Sequence, residues 1–354
     1  MAKVLMKGNE AIGAAAIAAG CKYFFGYPIT PQSELPEYMS RELPKIGGVF
    51  LQAESEVAAI NMVYGAAGSG ARVMTSSSSP GIALKQEGIT YIAGAELPCV
   101  IVNVVRGGPG LGSIQPAQSD YFQATRGGGN GDYRLLVYAP SNLQELVDMM
   151  QLAFHKADLY RTPVMVMADG MIGQMMEPVE VETLEFDEEL PEKDWATVGT
   201  GGKRKPNIIN SLYLAAEKLE DHNIKLQKKF ETIHDTEQRW ENQDLEDAEV
   251  VIVAYGTTAR IAKTAIENLK AKGINVGLIR PITLWPFPEK AFEELSSTTK
   301  DLLVAEMSMG QMTDDVKIVN EGRRSIHFVG RSGGMIPTPQ LIENKVVEIL
   351  EGRK

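Results

Sequence analysis

Cysteine and histidine are scarce in this chain. There are 2 cysteines, Cys21 and Cys99, and 4 histidines among 354 residues. Both cysteines lie in apolar surroundings, which favours buried thiols over a disulfide or a metal pair. An iron–sulfur cluster of the usual kind needs four thiolates, and zinc sites need closely spaced ligands that the scattered histidines do not provide. If the protein takes part in redox chemistry, its electron carriers must lie on other chains.

Long apolar runs and an excess of positive charge are also missing. No stretch reaches the roughly 18 apolar residues that indicate a transmembrane helix, so none is expected. The segment Met1–Gly8 has no apolar signal-peptide core, which predicts a cytoplasmic location. A net charge of −11 argues against nucleic acid as a main partner.

Nucleotide-binding motifs are absent although glycine is abundant, at 34 residues. The glycine clusters at 65–70, 108–112 and 127–131 do not have the order G-x-G-x-x-G, and no G-x-x-x-x-G-K-[ST] occurs. The residue pattern therefore disfavours a dinucleotide site and a P-loop.

Strand-like and helix-like segments alternate from the start, which predicts an α/β fold with a mainly parallel sheet. We expect a first helix from an N-cap at Asn9 to Gly20, and a later helix over Ser141–Lys156. The other predicted elements of this half are a helix at 33–41 and strands at 23–25, 49–52, 71–75, 98–105, 134–138 and 163–168.

The pattern changes between about residues 177 and 248. Apolar residues recur at heptad-like spacing, which predicts a long connector helix: Ile208, Leu212, Ala215, Leu219, Leu226 and Ile233. A solvated linker is the alternative. A second, smaller α/β unit begins at Glu249, so the predicted division is 1–180, a linker at 181–247, and 248–354.

The segment from Glu54 to Gly65 places a carboxylate, Glu56, at the start of a helix rich in small residues. A strand and a polar turn over Ser76–Gly81 follow it. Acidic residues are common in the first turn of helices, so Glu56 alone is not diagnostic.

Two loops carry further candidates. Arg106 ends a predicted strand and opens a glycine-rich loop, where it could grip a carboxylate through paired hydrogen bonds or form a structural salt bridge. The turn Tyr27–Pro31 holds Thr30 between two prolines that fix the backbone. An ordinary strand-to-helix connection explains this turn equally simply.

Together these segments resemble the α subunits of 2-oxoacid:ferredoxin oxidoreductases, most closely the branched-chain type that uses 2-oxoisovalerate (3-methyl-2-oxobutanoate). The resemblance covers essentially the whole chain, and the residues that carry it are Gly8–Ala11, Phe24–Pro31, Glu54–Gly65, Thr75–Gly81, Arg106–Pro109, Gly131–Tyr133, Tyr255–Thr257 and Met309–Met312. Asn130 departs from the family, whose members often carry histidine at this position.

The resemblance implies a pyrimidine-binding-type domain of thiamine-diphosphate enzymes followed by a transketolase C-terminal-like domain. It implies oxidative decarboxylation of a branched-chain 2-oxoacid with CoA, giving acyl-CoA, CO2 and reduced ferredoxin. Thiamine diphosphate would be shared with a β subunit, and Mg²⁺ and iron–sulfur clusters would lie on partner subunits. Implied partners are the β subunit, ferredoxin-like and γ subunits, and external ferredoxin, with no nucleic acid and no membrane. This chain lacks a G-D-G followed by N-N, in agreement with a diphosphate site on another chain.

The resemblance also assigns roles to residues. Glu56 would hydrogen-bond the N1′ atom of the cofactor's aminopyrimidine and act as the catalytic acid. Tyr27, Pro28 and Ser78 would contact the cofactor, and Thr30 and Arg106 the substrate. Alternatives are a complex of the same type acting on 2-oxoglutarate or another 2-oxoacid, a non-oxidative thiamine decarboxylase or synthase subunit, and a structural subunit with a lapsed site.

Overall fold

Parallel sheets covered by helices form the core of the structure, a computed structural model that describes residues 3–352. The strands make a seven-stranded sheet, a five-stranded sheet and a two-stranded ribbon. The predicted α/β class is therefore confirmed. None of the described helices is long and apolar enough to cross a membrane.

The helices of residues 3–352 alternate with the strands along the chain. The α-helices are α1 Gly8–Ala18, α2 Glu34–Glu42, α3 Glu56–Gly68, α4 Ser79–Gly94, α5 Tyr121–Arg126, α6 Leu143–Tyr160, α7 Gly170–Gln174, α8 Ala216–Thr236, α9 Gly256–Ala271, α10 Met312–Asn320 and α11 Pro339–Glu351. Short 3-10 helices cover Leu43–Ile46 and Glu289–Glu294.

The strands are mostly short. They are β1 Val4–Lys7, β2 Tyr23–Gly26, β3 Val49–Gln52, β4 Val73–Ser77, β5 Cys99–Val105, β6 Leu136–Tyr138, β7 Pro163–Asp169, β8 Met176–Val179, β9 Trp240–Gln243, β10 Val250–Val253, β11 Val276–Pro281, β12 Thr283–Trp285, β13 Asp301–Glu306 and β14 Ser325–Gly330.

The seven-stranded sheet has the order β12-β6-β7-β5-β4-β2-β3. All its pairs are parallel except that of β12 with β6. Every residue of β5 is buried, as expected for a central strand covered on both faces. Because the strands are parallel, their carboxyl ends meet at one edge, where the loops with the candidate residues also lie.

The five-stranded sheet has the order β14-β13-β10-β11-β9. Its antiparallel edge strand β9 comes from the predicted linker, while β12, from the second half of the chain, joins the first sheet. The two sheets thus exchange edge strands, and the division at residues 180 and 248 stays a prediction.

Gln118 connects the two halves of the molecule. Its buried side-chain amide donates to the Tyr255 carbonyl at 2.9 Å. Its side-chain oxygen accepts from the Thr258 hydroxyl at 2.7 Å and the Met307 amide at 2.9 Å. This one side chain therefore fixes the second sheet against the loop that follows Arg106.

The first helix does not begin with an Asn9 cap. Helix α1 starts at Gly8, with Lys7 as its N-cap. Asn9 lies inside the helix, where its amide donates to the Pro31 carbonyl and to Glu34, both at 2.8 Å. Asn9 thus holds the loop 27–31 in place, a long-range role that local cap preferences do not reveal.

The polar turn predicted at Ser76–Gly81 is almost entirely regular structure. Strand β4 runs to Ser77 and α4 begins at Ser79, so only Ser78 separates them. The strand also begins two residues later than predicted, at Val73 rather than Ala71. Buried parallel strands tolerate serine when it lies at their carboxyl end, which a hydrophobicity pattern does not show.

The connector helix is shorter than predicted. Helix α8 begins at Ala216, and Ile208 and Leu212 lie before it with 85% and 71% of their surface exposed. The buried seam consists of Leu226, Phe230 and Ile233. Of the predicted apolar residues, only Leu226 and Ile233 are therefore buried on a helix. In this part of α8, Phe230 packs against Trp285 of β12 in the first sheet.

Candidate active site

Glu56 is the first residue of α3. Ser55 caps this helix, because its side chain accepts a hydrogen bond from the Ala58 amide at 3.2 Å. Glu56 is only 8% exposed. The first turn of a helix favours a negative charge, so the local structure positions a carboxylate at the edge of the sheet.

Gly81, in the first turn of α4, makes room for the Glu56 carboxylate. A Cβ atom at this position would lie 2.9 Å from Glu56 Oε1 and 2.0 Å from Ser77 Oγ. Such distances are below normal van der Waals contact, so only glycine allows α3 and α4 to approach in this way. About two turns further along α4 and one turn further along α3, Gly88 packs in the same manner against Ile60.

The start of α4 carries buried hydroxyl groups without partners. Within residues 3–352, the Oγ atoms of Ser77 and Ser78 are buried and make no hydrogen bond. Ser78 is the N-cap residue of α4 but does not use its side chain as a cap. Buried polar atoms are normally paired, so unpaired ones beside Glu56 suit a ligand that this chain receives from outside.

Lys85 and Gln86 on α4 were missed by sequence reasoning. Lys85 is fully buried, and neither its Nζ nor the Nε2 of Gln86 has a hydrogen-bond partner in the described part of the chain. Burial lowers the pKa of Lys85 to about 8, and the Glu56 carboxylate partly opposes this shift. The available signal was spacing, since Lys85 follows Gly81 by one helical turn.

Arg106, at the end of β5, is buried, with 6% of its surface exposed. Its Nη1 donates to the Thr30 carbonyl at 2.9 Å and its Nη2 to the Leu111 carbonyl at 3.0 Å. No ion pair joins it to an acidic residue among those described, and its Nε has no partner. The salt-bridge interpretation of Arg106 therefore has no support, and the guanidinium keeps free N–H groups for a carboxylate.

The backbone of Arg106 is tied to the start of α4. Its amide donates to Ser79 Oγ at 3.1 Å, and Ser79 Oγ donates to its carbonyl at 3.2 Å. Glu56 and Arg106 thus both lie beside the first turn of α4. Glu56 packs against Gly81, and the backbone of Arg106 is hydrogen-bonded to Ser79. The structure brings these two predicted residues to the same edge of the sheet.

The turn 27–31 covers this edge. Tyr27, Pro28 and Thr30 are exposed, so all three candidates are accessible to a ligand. Thr30 lines a cleft of about 610 Å³. The rest of the lining is Pro31, Ile114, Gln115, Pro116, Gly170, Met171, Gln174, Met175 and Ile336.

Asn103 and Asp120 form a second polar pair that sequence reasoning missed. Asn103, on β5, accepts from the Ser79 amide at 3.2 Å and donates to Asp120 at 2.9 Å. Burial raises the pKa of Asp120, although hydrogen bonds from Ser79 and Asn103 act against the rise. An asparagine inside a run of valines was the signal that could have identified this pair.

Asn130 lies in the exposed glycine-rich loop before β6. Its backbone carbonyl accepts from the Thr90 hydroxyl at 2.6 Å. The preceding residue, Gly129, donates its amide to the Tyr133 hydroxyl at 3.0 Å. This loop therefore covers α4 near Gln86 and Thr90.

The arrangement suits a cofactor with a polar heterocycle better than a metal ion. Residues 3–352 contain no group of three or more His, Cys, Asp or Glu side chains that could hold a metal. A buried carboxyl at the sheet edge can instead exchange a proton with a ring nitrogen. The unpaired hydroxyl groups of Ser77 and Ser78 could pair with other polar atoms of such a ring, so these residues fit the aminopyrimidine of thiamine diphosphate.

Two family profiles match the chain. Residues 14–243 match "Pyruvate flavodoxin/ferredoxin oxidoreductase, thiamine diP-bdg". Residues 248–342 match "Pyruvate:ferredoxin oxidoreductase core domain II".

Curated relatives cover nearly the full length. The ketoisovalerate oxidoreductase subunit VorB of Methanothermobacter thermautotrophicus is 48% identical over 349 residues, which are 99% of this chain and 98% of the relative. The 2-oxoglutarate synthase subunit KorA of Methanocaldococcus jannaschii is 36% identical over 97% of this chain and 98% of its own length.

Two solved structures are similar. The 2-oxoglutarate:ferredoxin oxidoreductase from Magnetococcus marinus, with 2-oxoglutarate, coenzyme A and succinyl-CoA bound, matches with a TM-score of 0.83 and 29% identity. That match covers 98% of this chain and 65% of the solved chain. A split-gene transketolase, described as an inactive beta4 tetramer, matches with a TM-score of 0.61 at 16% identity over 98% of both chains, which indicates a shared fold.

Proposed function

This chain belongs to the pyruvate flavodoxin/ferredoxin oxidoreductase family, and from that membership we propose its reaction. It is the α subunit of a thiamine-diphosphate-dependent enzyme that oxidatively decarboxylates a branched-chain 2-oxoacid, 2-oxoisovalerate. CoA accepts the acyl group, and ferredoxin accepts the electrons. The products are acyl-CoA, CO2 and reduced ferredoxin.

The observation that carries this proposal is the full-length similarity to ketoisovalerate oxidoreductase subunits. These relatives are 48% identical to the chain, whereas the 2-oxoglutarate synthase subunits are 35–37% identical. Both comparisons cover at least 97% of this chain, so the difference does not come from a missing domain.

The lining of the cleft beside Thr30 supports a substrate with a neutral side chain. None of the lining residues is ionisable, and Ile114, Met171, Met175 and Ile336 supply apolar surface. A 2-oxoglutarate substrate carries a second carboxylate, whose burial without a cationic partner costs free energy. A branched aliphatic side chain has no such requirement and gains from apolar contact.

Arg106 is the residue that we assign to the substrate's carboxylate. Its guanidinium is buried, its position is fixed by the carbonyls of Thr30 and Leu111, and its Nε has no partner among the described residues. A guanidinium held in this way can grip a planar carboxylate through parallel hydrogen bonds. Thr30 would then direct the keto group, since it lines the adjoining cleft.

Glu56 is the residue that we assign to the cofactor's N1′ atom. When bound, thiamine diphosphate supplies the carbon nucleophile and the electron sink that decarboxylation requires. The Glu56 carboxyl would hold a proton at N1′, and Gly81, which leaves no room for a Cβ atom, fixes the carboxyl's position by close packing. Ser78, Tyr27 and Pro28 would complete the contacts of this chain with the aminopyrimidine.

The other components belong to partner chains in this proposal. A β subunit would hold the diphosphate and its Mg²⁺, the β and ferredoxin-like subunits would carry the iron–sulfur clusters, and a γ subunit would complete the complex. The relatives are themselves named as subunits, which supports a multi-subunit enzyme. The chain has only 2 cysteines, so it depends on other subunits for electron transfer.

The test is an assay of the assembled complex with a viologen dye against a panel of 2-oxoacids, with and without CoA. We expect the highest kcat/KM with 2-oxoisovalerate and CoA-dependent dye reduction. A preference for 2-oxoglutarate would overturn the substrate assignment but not the reaction class. Decarboxylation without dye reduction would instead support a non-oxidative enzyme.

A further inference from the structure

We propose that Lys85 is a positioning residue: it is the buried counter-charge of Glu56 and sets the pH range in which this carboxyl takes up a proton. The inference rests on the proposed function, because it concerns the proton that Glu56 shares with thiamine diphosphate. It concerns a residue that acts through Glu56 and need not touch the cofactor.

The first observation is the position of Lys85 on α4. Gly81 contacts the Glu56 carboxylate, and Gly88 contacts Ile60, one turn further along α3. Lys85 lies between these two contacts, four residues after Gly81, on the face that residues at this spacing share. Its side chain therefore enters the seam between α3 and α4 about one helical turn from the carboxylate.

The second observation is that no hydrogen bond among the described residues accounts for the lysine. Lys85 is fully buried, and its Nζ has no hydrogen-bond partner within residues 3–352. A buried ammonium without a hydrogen bond is costly, so its presence calls for an electrostatic partner. Glu56 is the charged group that interacts with it, and this interaction raises the pKa of Lys85 against the effect of burial.

Other titratable groups near α4 do not compete for this role. Helix α4 packs against α3, β5 and β7, and the loop 127–133 covers Gln86. Burial raises the pKa of Cys99 on β5 and of Tyr133 in the loop, so both stay neutral near pH 7. Asp169, at the end of β7, accepts hydrogen bonds from Met171 and Ile172. Arg106, at the end of β5, is also buried and charged, but the carbonyls of Thr30 and Leu111 hold its guanidinium. The other groups are exposed or only partly buried: Tyr64, Glu87, Tyr91, Asp132 and Arg134.

The consequence concerns proton balance. In this proposal the Lys85 charge favours the ionised form of a carboxyl nearby, as an opposite charge does in general. Binding of thiamine diphosphate would then take up a proton from solvent, which the Glu56 carboxyl and N1′ would share. Without the lysine charge, a buried carboxyl keeps its proton to higher pH. Fewer protons would then be taken up from solvent when thiamine diphosphate binds at a given pH.

The experiment counts these protons. The assembled complex, freed of thiamine diphosphate, is titrated with thiamine diphosphate in a calorimeter, in buffers of different ionisation enthalpy between about pH 5 and 9. The variants are Lys85→Met, which keeps the length and removes the charge, and Glu56→Gln as the reference without the carboxyl. Lys229→Met is the matched control, because Lys229 is also largely buried but pairs with Glu96, in the loop between α4 and β5.

We expect the pH at which proton uptake begins to move upward by roughly one to three units in Lys85→Met, and not in Lys229→Met. An unchanged profile in Lys85→Met would overturn the inference, as would weaker binding with unchanged proton uptake, which would mean a direct contact with the cofactor. If Glu56→Gln keeps the wild-type uptake and turnover, the proposed role of Glu56 fails instead.

A second measurement covers the case of poor assembly. The urea midpoint of the full chain is measured for Glu56→Gln, Lys85→Met and the double variant. Non-additive effects support the pairing of Glu56 with Lys85, and additive effects overturn it.

Discussion

Replacing Gly81 by alanine tests whether the position of Glu56 matters for catalysis. The added Cβ would lie 2.0 Å from Ser77 Oγ, 2.9 Å from Glu56 Oε1 and 3.1 Å from Glu56 Cγ. Ser77 must rotate or shift, and the Glu56 carboxylate must move by several tenths of an ångström. The backbone itself allows alanine, because Gly81 is not among the glycines with positive φ.

The expected magnitudes separate stability from function. Overpacking typically costs about 1–3 kcal/mol, while alanine in place of glycine in a helix returns up to about 1 kcal/mol. The free energy of unfolding should therefore fall by no more than about 3 kcal/mol. A displaced catalytic group is more harmful, so we expect kcat to fall about 10- to 100-fold.

The assay is turnover of the reconstituted complex, together with urea unfolding of the full chain. Gly65→Ala is the matched control, because Gly65 lies in α3 and a Cβ there meets no atom within 4 Å. It should stabilise the chain by about 0.5–1 kcal/mol and leave turnover unchanged. Wild-type turnover in Gly81→Ala would refute the reasoning, because Glu56 could then move without loss of function.

Other predictions concern charge and buried polar groups. Glu56→Gln should abolish turnover and leave subunit assembly intact; activity in the reconstituted complex would contradict the assignment. Arg106→Gln should raise KM for the 2-oxoacid about 100-fold through loss of a charge-assisted contact, with Arg41→Gln as an exposed control. Gln118→Met leaves several buried partners unpaired and should lower the free energy of unfolding, measured in urea, by about 2–4 kcal/mol. A loss below about 1 kcal/mol would contradict this prediction. Burial acts to raise the pKa of Glu96, but Lys229 and Lys225 lower it to about 2. The stabilisation that the charged Glu96 gives the fold is therefore complete above a pH of about 4.5, the pKa of Glu96 in the unfolded chain, and is lost as the pH falls toward 2. Glu96→Gln should make the free energy of unfolding less dependent on pH in this range, as followed by circular dichroism.

Much of the secondary structure followed from local patterns. Strand β3 and helix α3 begin where the sequence predicted, because Gly47–Gly48 and the Ser55 cap are local signals. Asn9 and the Ser76–Gly81 segment were misjudged, since both are polar residues that tertiary contacts draw into regular structure. Ile208 and Leu212 continue an apolar spacing without forming a helix.

The candidate site divides in a similar way. Glu56, Thr30 and Arg106 could be named from motifs, because their residue types and neighbours are characteristic along the chain. Lys85 and Asn103 leave only a weak signal in the sequence, a helical spacing and a polar residue in an apolar run, because their significance depends on burial and on the absence or identity of partners. Burial and partner identity depend on residues distant in sequence, so no local pattern contains them.

By itself, the sequence determined the alternation of strands and helices, the scarcity of metal and cluster ligands, and the family. The tertiary structure decided which polar side chains share an edge of the sheet. It placed Gly81 against Glu56, left the buried Lys85 without a hydrogen bond, and left Arg106 without an acidic partner in the described residues. The physical reason is that hydrophobic periodicity specifies which surfaces are buried, whereas the free energy of a buried charge depends on the particular atoms packed around it.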